Sequence, residues 1–172
     1  MRAIKLSLIF AVLLICAKTT IAQDNSKIQA TFIYNFTRLV SWPASYQSGD
    51  FVIGVLGNTT LISELKTLSE SKKAGNQTIV VKQFSDVASI QKCHILIVPS
   101  GQSKRIAEAS SHVKSKGFAS LIVSDNTNGI KNGSMINFVI KDDRQRFELS
   151  ESKAKDAGLT LGSEILRLAI VK

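Results

Sequence analysis

Beyond its first two dozen residues, the chain alternates short, predominantly apolar segments with segments of helical periodicity. Four apolar runs have the length and the β-branched content of buried strands, and they cover 51–57, 78–84, 93–98 and 119–124. Continuous apolar strands separated by helices favour a parallel sheet that is covered on both faces. The pattern therefore predicts the α/β class.

Helical segments precede, separate and follow these strands. The first runs from Ser26 to Ser41, with apolar side chains three and four positions apart, and Trp42-Pro43 ends it. Further predicted helices cover 59–71, 85–90, 102–116, 151–157 and 163–171. Alternating segments at 134–141 and 144–150 flank Asp142-Asp143 and predict an antiparallel hairpin. We expect a three-layer sandwich with a mainly parallel sheet of about six strands that ends in this hairpin, a Rossmann-like or flavodoxin-like arrangement.

The first 22 residues have the features of a secretory signal peptide. Arg2 and Lys5 precede the apolar run LSLIFAVLLICA, and a small-x-small sequence ends at Ala22. The run is shorter than the roughly 20 residues that span a bilayer. We expect cleavage after Ala22, which leaves residues 23–172 as one exported domain.

Removal of this peptide lowers the net positive charge of the chain. The sequence has 22 Lys+Arg and 13 Asp+Glu, a net charge of +9. Arg2, Lys5 and Lys18 leave with the peptide, together with no acid, so the exported part carries +6. The remaining bases are scattered, with no run of five, and export separates the chain from the nucleic acid of the cell interior. A nucleic-acid-binding function is therefore excluded.

Residues that carry catalytic or metal chemistry are scarce. Cys93 is the one cysteine that remains after cleavage, and its apolar strand predicts a buried thiol, with a reactive thiol or an intermolecular disulfide as the alternative. His94 is predicted to be a packed strand residue. No GxGxxG, GxxxxGK[ST] or G-x-S-x-G motif occurs, and no His, Cys and carboxylate spacing indicates a metal site. We expect a protein that is not an enzyme and that has no cofactor.

Two loops at the carboxyl ends of predicted strands are candidates for binding a small ligand, because open parallel sheets bind ligands there. Asn58 and Thr59 follow the first strand, and Ser100 follows the third. Free backbone N–H groups and hydroxyls at such places suit a phosphate or a carboxylate. An ordinary turn with a helix cap explains the same residues. A small-ligand-binding sensor is therefore the alternative function.

Three segments carry a more specific pattern. Residues 30–36 read ATFIYNF and are followed by Trp42-Pro43, residues 93–98 read CHILIV, and MINFV, RFEL, AGL and LRLA follow in the last part of the chain. They resemble the A-x-F-x-Y-N-F…W-P, C-[HD]-I-L-[FY]-[IV] and I-N-F…R-F-E-I-N…A-G-L motifs of the YfiR family of bacterial periplasmic regulators. Ser150 stands where this family usually has Asn, and Gly162 replaces the first Ser of a Ser pair.

The resemblance implies a non-enzymatic periplasmic protein that restrains an inner-membrane signalling enzyme. The typical partner is a diguanylate cyclase, which connects such a protein to cyclic-di-GMP and biofilm control; a sensor kinase, an outer-membrane lipoprotein and a second copy of the chain are further candidates. We expect the partner to contact Arg38 and Trp42 at the end of the first helix, and Arg144, Arg146 and Glu148 on the hairpin. Core packing of Trp42 and a solvated hairpin face are the alternatives.

Overall fold

The computed structural model describes residues 25–172. The predicted signal peptide, residues 1–22, lies outside the described residues. The α-helices are α1 (25–39), α2 (Leu61–Ser71), α3 (Ile106–Ser115), α4 (Glu151–Asp156) and α5 (Ser163–Leu168). Two 3₁₀ helices cover Ala44–Tyr46 and Ser100–Arg105. Within residues 25–172, no helix is long and apolar enough to cross a membrane.

Within residues 25–172, eight strands form the main sheet, and two more form a separate ribbon. The main sheet contains β2 (Phe51–Leu56), β3 (Lys73–Ala74), β4 (Gln77–Phe84), β5 (Ile95–Val98), β6 (Leu121–Ser124), β7 (Ile136–Lys141), β8 (Arg144–Leu149) and β10 (Ile170–Val171), in the order β10-β8-β7-β6-β5-β2-β4-β3. The ribbon pairs β1 (Val40–Ser41) with β9 (Thr160–Leu161). Strands β2, β4, β5, β6 and β7 are parallel, whereas β3 and β8 run antiparallel to β4 and β7. The α/β class is confirmed, with more strands than the six expected.

The five parallel strands lie in the order second, first, third, fourth and fifth along the chain. The direction of winding therefore reverses between β2 and β5, and helices pack on both faces. On one face, Phe32 and Phe36 of α1 contact Phe138 and Phe147 of the hairpin, with ring centroids 5.2–6.2 Å apart. On the other face, α3 and α4 flank a hollow whose floor includes Ile122.

Two local expectations need correction. Residues 85–90 form a turn rather than a helix, because the Asp86 carboxylate accepts a hydrogen bond from the Ser89 N–H at 2.8 Å. The last helix ends at Leu168 instead of Val171. The residues after it, Ile170–Val171, pair with β8, so a contact across the sheet replaces the last helical turn.

Candidate functional site

The β7–β8 hairpin carries three exposed cations on one face of its two strands. Lys141 lies directly opposite Arg144, and Arg146 lies opposite Val139. Since alternate residues of a strand share a face, Lys141, Arg144 and Arg146 point the same way; we call these three residues the hairpin face. Like charges directly across two strands are destabilising. Within residues 25–172 none of these three cations forms an ion pair, so the hairpin face keeps three like charges beside the Asp142 and Asp143 carboxylates of the turn.

The turn of this hairpin is also locally unfavourable. Asp142 and Asp143 both have positive φ, at 52° and 55°. A two-residue hairpin turn with both central residues left-handed favours Asn-Gly or Asp-Gly, and a second Asp in place of Gly adds a steric cost. Natural sequences break local rules mostly at functional sites. The turn and the hairpin face together make this the strongest candidate surface.

Glu148 shares a side of the hairpin with the hairpin face, but it is committed to internal contacts. Its carboxylate lies 3.0 Å from the Lys172 ammonium, and its other oxygen accepts a hydrogen bond from Asn137 Nδ2 at 3.4 Å. The side chain is half-buried. Of the residues predicted on the hairpin, Arg144 and Arg146 are therefore exposed for a partner, whereas Glu148 holds the base of β8 together.

Of the two residues predicted at the end of α1 to contact a partner, one is exposed and the other is buried. Arg38 is exposed on the last turn of α1. Trp42 is buried, with 8% of its surface exposed, and its indole N–H donates a hydrogen bond to the His94 carbonyl at 2.9 Å. Its ring meets the Phe51 ring edge-on, 5.1 Å between centroids. Trp42 is therefore a core residue rather than a surface contact, and the alternative of core packing applies.

His94 is the centre of this aromatic cluster. Its Nδ1 accepts a hydrogen bond from the Val52 N–H at 3.1 Å, so Nε2 carries the proton and donates to the Tyr46 carbonyl at 2.8 Å. The imidazole stacks on Phe51 with centroids 4.1 Å apart. Burial lowers the pKa of His94 below its ordinary value. The predicted packing of His94 is confirmed, although the residue lies one position before β5, and both ring nitrogens of this neutral side chain are hydrogen-bonded.

The loops predicted to bind a small ligand lie side by side at the carboxyl edge of the sheet. A Cβ at Gly57 would lie 2.6 Å from Gln102 Nε2, so the loop that holds Asn58 and Thr59 touches the 3₁₀ helix that begins at Ser100. The Ser26 hydroxyl, at the start of α1, lies 2.7 Å from the Thr60 hydroxyl. The first turn of α1 therefore lies against the β2–α2 loop.

Thr59 itself takes part in the start of α2. Its carbonyl accepts a hydrogen bond from the Ile62 N–H at 3.2 Å, and its hydroxyl accepts one from the Leu61 N–H at 3.4 Å. These bonds form a turn before α2, whereas the N-cap residue, Thr60, makes no side-chain capping hydrogen bond, so of the alternative to a ligand site the turn applies and the Ser/Thr cap does not. Asn58 and Ser100 are exposed. Three surface hollows of about 530, 400 and 360 Å³ are lined by other residues.

A family model described as YfiR/HmsC-like matches residues 26–170. The chain belongs to the YfiR/HmsC-like family. This family consists of periplasmic regulators rather than enzymes. No curated protein matches the chain.

The matched span of this YfiR/HmsC-like chain includes Cys93, whose expected burial is confirmed. The thiol is 1% exposed, and its sulfur lies 3.7 Å from the Ser120 hydroxyl. Burial raises the pKa of Cys93 to about 11, so the nucleophilic thiolate is suppressed at neutral pH. Among residues 25–172, no group of three or more His, Cys, Asp and Glu side chains is placed to hold a metal ion.

A buried polar network near the hairpin was missed from the sequence. Asn137 Oδ1 accepts hydrogen bonds from the Ser124 hydroxyl at 2.7 Å and from the Asn126 N–H at 3.0 Å. Asn126 Nδ2 donates in turn to the Val98 carbonyl at 3.0 Å. The network ties the ends of β5, β6 and β7 together. The signal was the single Asn inside the apolar run of β7, which a strand tolerates when its amide is satisfied.

One acidic group beside this network has no complete set of partners. Asp125 follows β6, and its Oδ1 is buried with no hydrogen-bond partner among the described residues. Burial raises the pKa of Asp125, and hydrogen bonds from Ser100 act in the opposite direction.

Proposed function

We propose that the chain, once exported and cleaved after Ala22, binds the periplasmic part of an inner-membrane signalling protein and restrains its output. The observation that carries the proposal is the YfiR/HmsC-like match over residues 26–170. The leading partner is a diguanylate cyclase, so the chain would control cyclic-di-GMP and biofilm formation. A sensor kinase is the second candidate of the same class.

The hairpin face is the proposed contact surface for that partner. Arg144 and Arg146 are exposed and have no ion pair with any described residue. Guanidinium groups bind carboxylates through two parallel hydrogen bonds, and arginine is enriched among residues that dominate interface energies. Lys141 adds a third cation, and Val139, half-buried on the same side, adds apolar area. We therefore expect an acidic patch on the partner.

Further details of the proposal follow from the family. An outer-membrane lipoprotein that binds the same chain would release the inner-membrane partner. A second copy of the chain is a further candidate partner. Residues 23–172 would act as one domain with a flavodoxin-like arrangement of its parallel strands. Arg38, exposed on α1, is a secondary candidate contact.

The test is calorimetric binding of residues 23–172 to purified periplasmic domains of inner-membrane cyclases and kinases. The double variant Arg144→Glu and Arg146→Glu should weaken binding at least tenfold, a loss of about 1.4 kcal/mol. The matched control, Lys66→Glu with Lys104→Glu, reverses two exposed cations elsewhere and should change binding less than twofold. Equal loss in both variants would show nonspecific charge attraction, and no binding by the unmodified chain would refute the proposal.

The small-ligand sensor is retained as the second candidate because the Asn58 and Ser100 loops adjoin each other through Gly57 and Gln102. A thermal-shift screen with small phosphates and carboxylates tests it. A ligand that raises the melting temperature of the unmodified chain, but not that of Asn58→Ala or Ser100→Ala, would support this site. Shifts that persist in both variants would place the ligand elsewhere.

A further inference from the structure

One edge of the main sheet is open along most of its last long strand. Strand β4 has eight residues, and its inner neighbour β2 pairs with Ile79 to Phe84. Its outer neighbour β3 pairs only with Gln77 and Thr78. Among residues 25–172, nothing pairs with the outer side of β4 beyond Ile79. Such an edge is a template for another strand.

The hydrogen-bond pattern shows which backbone groups this edge offers. The Gly57 N–H donates to the Phe84 carbonyl at 2.8 Å, so the backbone groups of Phe84 face β2. Because these groups alternate along a strand, those of Lys82 also face β2, whereas those of Val81 and Gln83 point outward. The edge therefore offers two N–H donors and two carbonyl acceptors in the spacing that an added strand requires.

The charges along this edge favour an incoming strand that carries acidic side chains. Lys73 and Lys82 are the charged residues of β3 and β4, and both are exposed. The nearest acid after the strand, Asp86, stays ionised, because hydrogen bonds from the Ser89 N–H at 2.8 Å and the Ser85 hydroxyl at 3.0 Å lower its pKa; it lies in the turn after β4 and not on the edge itself. A hollow of about 530 Å³, lined in part by Lys82, lies at the end of the strand. It provides room for a side chain of the incoming segment.

We propose that β4 is a docking edge for an extended segment of a partner protein that carries acidic side chains. The segment would pair with Val81 and Gln83 and place a carboxylate near Lys82. A second copy of the chain suits this edge less well, since pairing β4 with itself would bring the cations of both copies together. This surface is additional to the hairpin face.

The two surfaces can be occupied at the same time. Five strand spacings separate β8 from β4 in the sheet, a distance of roughly 24 Å at about 4.8 Å each. The chain would then connect two protein segments through opposite edges of one sheet. Because the surfaces are separate, failure at β4 leaves the hairpin proposal standing, and the reverse also holds.

The experiment selects peptides from a random displayed library against residues 23–172. Enriched sequences should alternate β-branched residues with Asp or Glu. A synthetic peptide from that selection should bind Val81→Pro at least tenfold more weakly than Val81→Thr, because proline removes an outward N–H that threonine keeps. Lys82→Glu should weaken binding by a similar factor, whereas the control Lys114→Glu on α3 should not.

Amide hydrogen exchange tests the proposal on the unmodified chain, so that the result does not depend on whether a variant folds. In the free chain, the Val81 and Gln83 amides should exchange rapidly and the Lys82 amide slowly. The bound peptide should protect the first two without changing the third. The proposal is overturned if Val81 and Gln83 are already protected in the free chain, if the selected peptides lack acidic residues, or if the bound peptide leaves both amides exchanging. A dimer that Val81→Pro abolishes would overturn it in favour of a second copy.

Discussion

Asn137 lies at the centre of the buried polar network and is 2% exposed, so its replacement by leucine is an informative perturbation. Leucine has the same branching and the same number of side-chain heavy atoms as asparagine, but it accepts no hydrogen bond. The change would leave the Ser124 hydroxyl and the Asn126 N–H without their acceptor at 2.7 and 3.0 Å. It would also remove the Asn137 N–H that Glu148 accepts. The network should therefore lose its connection between β6, β7 and β8.

The expected cost follows from these groups. A buried donor that loses its partner costs about 1–3 kcal/mol. The Ser124 hydroxyl lies 2.9 Å from the Ser134 hydroxyl and can donate to it instead. The cost of its lost acceptor therefore lies at the low end of that range. The backbone N–H of Asn126 has no such freedom. We expect Asn137→Leu to lower the free energy of unfolding by about 2–4 kcal/mol in total.

The assay is urea unfolding followed by the fluorescence of Trp42, the one tryptophan of the chain, which is buried. Adding Ser124→Ala to Asn137→Leu should cost about 1 kcal/mol less than adding it to the unmodified chain, since the hydroxyl is then already without its acceptor. A loss below about 0.5 kcal/mol for Asn137→Leu, in the range of ordinary surface changes, would refute the reasoning.

Three further outcomes test the rest of the interior. Gly129→Ala should lower the free energy of unfolding by about 1–3 kcal/mol, because its new Cβ would lie 2.3 Å from Ser124 Oγ; unchanged urea unfolding would contradict this. Burial holds the pKa of His94 below the unfolded value of about 6.5, so the unfolded chain binds the proton more readily. The stability that neutral His94 contributes should be complete above about pH 6.5 and be lost as the pH falls through the folded pKa. In urea unfolding from about pH 8 to pH 5, His94→Gln should reduce the dependence of the free energy of unfolding on pH. Cys93, with a pKa of about 11, should resist a disulfide reagent at neutral pH in the native chain and react on unfolding; rapid native labelling would contradict its burial.

The sequence pattern predicted the elements whose signals are local. The apolar runs became β2, β4, β5 and β6, and Asp142-Asp143 correctly marked a hairpin. Each of these segments has its own periodicity and its own turn residues. The α/β class and the parallel pairing followed from their succession along the chain.

The features that the sequence did not predict depend on distant contacts. Ile170 was assigned to a helix, yet it pairs with Glu148 on β8. The sequence makes Trp42 a candidate contact for the partner, yet its indole N–H donates a hydrogen bond to the carbonyl of His94, 52 positions away. Tertiary context overrides local preference in such places. Arg144 and Arg146 are candidates from the sequence alone, whereas Lys141 and its position opposite Arg144 needed the strand register.

The central claim is that the chain binds and restrains an inner-membrane signalling enzyme. The most direct measurement is the rate of cyclic-di-GMP synthesis by vesicles that hold the inner-membrane cyclase identified by binding, with residues 23–172 added to its periplasmic side. The account predicts that the unmodified chain lowers the rate in proportion to its occupancy, and that Arg144→Glu with Arg146→Glu lowers it much less at the same concentration. An unchanged rate at full occupancy by the unmodified chain would contradict the account.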